Sequence, residues 1–149
     1  MTEKLKYDAK FEPVSIDEGN EYMVNGIFIF NITKMIDHIN KNKKEYIRHK
    51  INVKTYKDDF CTINEEHLPK VDLSVPVIVA EIRPGSYRCI DGRHRLERAC
   101  REGMEELYAY FLSPQQHMKF LTTKEGYGAY IEYYNSKIEN DARDSKRIK

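Results

Sequence analysis

The stretch Val75-Pro-Val-Ile-Val-Ala-Glu-Ile-Arg-Pro-Gly-Ser-Tyr-Arg-Cys-Ile-Asp-Gly-Arg-His-Arg-Leu-Glu-Arg-Ala-Cys-Arg-Glu-Gly103 decides the fold. Val75 to Ile82 is dense in β-branched residues and reads as a strand. Arg83-Pro84-Gly85-Ser86 carries turn chemistry, and Tyr87 to Ile90 reads as the returning strand. After Asp91-Gly92-Arg93-His94-Arg95 the apolar residues Leu96, Ala99 and Cys100 fall on one helical face through Glu102, and Gly103 is placed to stop that helix. Glu106 to Leu112 predicts a third strand.

Outward from this core, Ser113-Pro114-Gln115-Gln116 has the signals of a helix start: a capping Ser, Pro at the first position and Gln three residues on. That helix turns Met118 and Leu121 or Phe120 inward and is expected to stop before Gly126. Tyr127, Tyr130, Ile131, Tyr134 and Ile138 then recur at helical spacing. Upstream, Glu21–Val24 and Ile27–Phe30 flank Asn25-Gly26, a hairpin signal. Asn31 can cap a helix carrying Ile32, Met35, Ile36 and Ile39, which is expected to fray within 40–44. The order of elements predicts an α+β domain with a small mixed sheet and flanking helices. Residues 1–20 read as a loosely attached polar lead-in, 21–139 as one domain, and 140–149 as a charged, frayed tail.

The chain has 149 residues, 25 Lys or Arg against 24 Asp or Glu, and a net charge of +1. It is long enough for one core, and no bulk electrostatic drive toward nucleic acid or anionic membrane exists. The N-terminus lacks an apolar h-region, and Val75–Ile82 is too short to span a bilayer, so neither leader nor membrane partner is expected. Cys61, Cys89 and Cys100 form no C-x-x-C and are odd in number, which argues for a reducing cytoplasm over a disulfide framework.

The chemistry concentrates at Asp91-Gly92-Arg93-His94-Arg95. A helix start offers unpaired amides and the positive end of the dipole, and a preceding Gly lets a ligand approach the backbone. Arginine presents a donor fork matched to phosphate or carboxylate, and His94 can donate a hydrogen bond or move a proton. Asp91 can cap the helix, hold an arginine or ligate Mg²⁺. The plain alternative is a turn and a cap with His94 and the arginines merely exposed. Other carboxylates in reach of a role are Asp58, Asp59, Glu65 and Glu66, with no spacing that singles one out. His117 reads as a packed or surface histidine, and Cys100 as an inert residue beneath its helix. No His/Cys pair has zinc-like spacing, and no G-x-S-x-G elbow supports a serine hydrolase.

Pro76-Val77-Ile78-Val79, the hairpin to Tyr87-Arg88-Cys89-Ile90, the box Asp91-Gly92-Arg93-His94-Arg95 and Gly103 resemble the core of the ParB/sulfiredoxin-like superfamily over roughly Leu68 to Leu112. The resemblance implies that the box binds a nucleotide's phosphates, with Gly92, His94 and Arg95 matching the Gly, the His or first Arg, and the Arg of the family box. It implies a nucleoside triphosphate (CTP or ATP) with Mg²⁺, and it extends to hydrolysis or phosphoryl transfer in which His94 and Asp91 are the catalytic candidates. Arg93 stands where sulfiredoxins carry their reactive Cys. Partition proteins have Arg where His94 stands, and continue into a helix-turn-helix and a dimerisation domain. The nearest box is that of the free-serine kinases, of the type Asp-Gly-x-His-Arg.

Two readings of other classes stand beside it. Lys41 to Lys57 holds seven Lys or Arg against Glu45 alone. If Lys43, Lys44, Arg48 and Lys50 join Arg93, Arg98 and Arg101 on one surface, the domain is a DNA-associated module, whether a binding or a nuclease unit. A solvated helix face and loop is the plainer reading of that run. Alternatively the protein is a non-catalytic scaffold, with the tyrosine-rich last helix as a homodimer or partner contact.

Overall fold

The computed structural model describes residues 3–58 and 62–148, with side chains through Asp141. Asp59 and Cys61 lie outside the described residues. The chain is an α+β fold with two small sheets. The first is a hairpin of β1 (Tyr22–Asn25) and β2 (Phe28–Asn31). The second contains β3 (Arg48–Asn52), β4 (Val77–Arg83), β5 (Ser86–Asp91) and β6 (Glu106–Leu112) in the order β3-β6-β4-β5. It is mixed: β4 runs parallel to β6, while β3–β6 and β4–β5 are antiparallel.

Period-2 alternation along β4 explains the layering. Val77 and Val79 face one side and pack with Leu107 and Ala109 of β6, Ile51 of β3, and Leu96 and Ala99 of α3 (Arg93–Arg101). Burying one such Leu side chain contributes about 1.5–3 kcal/mol. Val53, from the single turn α2 (Val53–Tyr56), closes this layer. Ile78, Ala80 and Ile82 face the other side and meet Leu112, Met35 and Ile39 of α1 (Ile32–Lys41), and Tyr130 and Tyr134 of α5 (Lys124–Ile148). Because both faces of β4 are covered, its apolar run is continuous rather than alternating.

The core segment forms as its sequence predicts, including the helix start at Ser113, where the Gln116 side chain accepts from the Ser113 N–H at 2.9 Å. That helix, α4 (Pro114–His117), is only one turn and gives way to a 3₁₀ turn at Met118–Phe120. Met118, Phe120 and Leu121 are all buried. The last helix begins earlier than expected, at Lys124, because Thr123 Oγ1 accepts from the Gly126 N–H at 2.9 Å and caps it. Its backbone stays helical through Ile148.

Three other expectations are corrected. The first hairpin turns one residue later: Asn25 pairs with Phe28, and Gly26, with φ of +64°, takes the first central position. A turn of this kind needs only one left-handed residue. The hairpin does not join the main sheet; it docks through Thr122, whose N–H donates to Ile29 O at 3.0 Å, and through a bridge between Phe30 and Leu121. The basic run is not merely helix and loop, because 48–52 is an edge strand satisfying the open side of β6. The lead-in is docked: Asn135 clamps Leu5 through the N–H and carbonyl of that residue at 2.7 and 3.0 Å, and Phe11 stacks on Tyr127 at 3.9 Å.

The tyrosine stripe lies inward. Tyr127, Tyr130 and Tyr134 are each at most 5% exposed, so these rings belong to the core and offer no dimer surface. Among the described residues, no helix is long and apolar enough to cross a membrane.

Candidate functional site

Gly92 sits at the junction of β5 and α3 with φ of +113°, a conformation that L side chains rarely adopt. A Cβ there would lie 2.3 Å from Val77 Cγ1, so the glycine lets the loop press onto β4. No side chain caps the helix, and Asp91 does not serve as its N-cap. The first-turn amides, which have no intrahelical acceptor, are therefore available at the positive end of the dipole.

This helix start opens onto a cleft of about 990 Å³. All five residues of the box line it, with Arg88 and Cys89 of β5 on one side. Glu21, Tyr22 and Val24 form the hairpin wall, and Tyr56, Asp58 and His67 approach from the segment after β3. The cleft is thus built from three distant parts of the chain.

The charged groups divide into committed and available sets. Arg95 is committed. Its Nη2 meets the Asp91 carboxylate at 2.8 Å, and its Nη1 donates to the carbonyls of Val75 and Pro76, each at 2.8 Å. Of the roles open to Asp91, holding an arginine is the one the geometry contains. Arg88 and Arg93 are exposed, and neither has an ion pair or side-chain hydrogen bond among the described residues. They are the cations able to meet a ligand.

His94 is half-buried. Its Nε2 accepts from the Asn64 N–H at 3.0 Å, which places the ring proton on Nδ1. The ring stands edge-on to His67, with centroids 5.1 Å apart. Burial chiefly, and then the nearby His67 and Arg93, lowers its pKa below the ordinary value. His94 is accordingly a neutral Nδ1–H donor at neutral pH, not a cation.

The upstream carboxylates separate clearly. Glu65 is held by Arg101 through two hydrogen bonds at 2.7 and 2.8 Å, and Glu66 does not line the cleft, whereas Asp58 does. Glu21, Arg88 and Tyr22 are site residues that sequence reasoning missed. No spacing ties a hairpin near residue 22 to a box near residue 92, and only the folded chain joins them. Among the described residues, no cluster of three or more His, Cys, Asp or Glu is placed to hold a metal ion.

The basic residues of the DNA reading do not form one surface. Arg48 and Lys50 lie over the Tyr108 ring at 4.9 and 5.8 Å, on the sheet face opposite Leu107 and Ala109. Helix α3 packs against the Leu107 face. Arg98 donates to Val71 O at 2.7 Å and pairs with Glu102, while Arg101 is taken by Glu65 and Glu97. Lys43 and Lys44 stand in the 3₁₀ turn before β3. His117 is packed, with Nε2–H donating to Glu81 O at 2.8 Å, well away from the box. Cys100 is half-buried against the α3 layer.

Comparison of the chain with protein-family models, curated proteins and solved structures finds no match.

Proposed function

We propose that the cleft at the N-terminus of α3 binds a nucleotide through its phosphates, on a domain related to the ParB/sulfiredoxin-like superfamily. The observation that carries this reading is an uncapped helix start which, together with Arg88 and Arg93, faces a cleft large enough for a nucleotide. The phosphates meet the first-turn amides and the two arginines, and Nδ1–H of His94 adds a neutral donor. Arg95 works from behind, fixing the box against the strand before it, and is a positioning residue rather than a phosphate ligand.

Glu21 and Asp58 are the carboxylates facing the same cleft that would hold Mg²⁺. One or two carboxylates plus substrate phosphates are the usual protein complement of that ion, which would neutralise phosphate charge. Asp91 is paired with Arg95 and Glu65 with Arg101, and the groups named here are binding groups, so the reading is stated for nucleotide binding.

Isothermal titration with CTP, ATP and ADP, each with Mg²⁺, tests it on the wild-type chain and on Arg88→Ala/Arg93→Ala. Saturable binding of at least one nucleotide is expected, weakened by about tenfold or more in the double variant. No binding of any of the three, or equal binding by the variant, overturns the reading.

A further inference from the structure

A second cavity of about 340 Å³ lies beyond the Asp91–Arg95 pair from the cleft. Its chemistry is distinct. Ile36, Val75 and Pro76 give it an accessible apolar side, with Val75 47% exposed, and Ile39 and Ile78 lie behind them in the core. Lys43 and Arg48 stand among its lining residues, both exposed and without an ion pair among the described residues. The guanidinium of Arg48 is held by its contact with Tyr108. Asp91 is the only carboxylate among the lining residues, and Arg95 already neutralises it at 2.8 Å.

We infer that this cavity is a binding site for a small organic monocarboxylate with an apolar body. The carboxylate meets Lys43 and Arg48, and the hydrocarbon lies over Ile36, Val75 and Pro76. Two uncompensated cations beside an apolar lining select against both halves taken alone. An uncharged amphiphile leaves the cations unmatched, and a bare inorganic anion leaves Ile36 and Val75 in water. The volume falls at the small end of the range for ligand sites. The site is independent of the nucleotide reading, since neither Lys43 nor Arg48 lines the larger cleft.

Amide NMR spectra of the full chain titrated with hexanoate test the inference, with hexanamide, acetate and inorganic phosphate as comparison probes. Saturating shifts are expected around Ile36–Asn40, Lys43 and Ser74–Ile78. The comparison probes should all bind more weakly. Lys43→Gln/Arg48→Gln should weaken hexanoate by about tenfold or more, on a spectrum otherwise like the wild type. Hexanamide or phosphate matching hexanoate, shifts located elsewhere, or an unaffected double variant would each overturn it. Should the double variant fold poorly, single Arg48→Gln reads the same loss. Failure of nucleotides to bind at the larger cleft leaves these outcomes unchanged.

Discussion

The Arg95 guanidinium joins three carriers of the site: Nη2 meets Asp91 at 2.8 Å, and Nη1 reaches the carbonyls of Val75 and Pro76, also at 2.8 Å. Both charged side chains are largely buried, at 11% and 19% exposure. The pair therefore fixes the end of β5 and the start of α3 to the approach of β4. Removing one partner from such a pair leaves the other charge desolvated, which costs more than the pair contributes when intact.

Arg95→Ala should consequently destabilise the fold by about 2–4 kcal/mol, because one carboxylate and two carbonyls lose their donor together. Arg95→Lys should recover only part, since a point ammonium cannot reproduce the fork. Urea unfolding of the three proteins reads this, and a loss below about 1 kcal/mol for the Ala variant would contradict the bolt-like role. The same reasoning makes Arg95→Ala a poor probe of ligand contact, whereas Arg88 and Arg93 have no ion pair or side-chain hydrogen bond among the described residues to lose.

Gly92 is under two constraints at once, a φ of +113° and a Cβ position 2.3 Å from Val77 Cγ1. Backbone strain and overpacking each cost about 1–3 kcal/mol, so Gly92→Ala should lose about 2–6 kcal/mol. Val77→Ala removes Cγ1 but keeps a Cβ 2.7 Å from the added methyl, so it should relieve part of the steric share and none of the backbone share. The double-mutant cycle should therefore show a favourable coupling that stops short of full rescue. A Gly92→Ala protein as stable as the wild type would refute the close packing.

The legible part of this chain is the part where neighbouring residues share one cause. From β4 to β6, period-2 burial, turn residues and a helical face follow each other without a gap, and the strands and helix form where they are read. Strand β3 was hidden because only Ile51 of its five residues is buried, while Arg48, His49 and Lys50 are polar, exposed residues that pair with β6 through the backbone and lean on its Tyr108 and Phe111 rings. Residue types also named the cations of α3 without naming their partners. Nothing in the spacing announces that Arg98 meets the carbonyl of Val71, or that Arg101 meets Glu65 across 36 residues. The box was legible as a helix start; the walls of its cleft come from the far hairpin and the segment after β3.

Acid should weaken the fold through its histidines before its carboxylates are exhausted. His117 is fully enclosed, with Nε2–H on Glu81 O and no partner for Nδ1 among the described residues, and burial pushes its pKa down to about 4. His94 is lowered too, again chiefly by burial. For both, the native state binds fewer protons than the unfolded chain below the ordinary value of 6.5, so stability rises with pH in that window. The contribution is complete above pH 6.5 and is lost as pH falls toward the native pKa. For His117 the gap corresponds to roughly 3 kcal/mol. Urea unfolding at steps between pH 7 and about 4 should show this slope, and His117→Gln, which retains a donor for Glu81 O but cannot titrate, should flatten it. The difference between the two profiles removes the carboxylates, which titrate alike in both proteins. Parallel profiles would mean that His117 stays neutral in the unfolded chain or is charged in the folded one, and would contradict its enclosure.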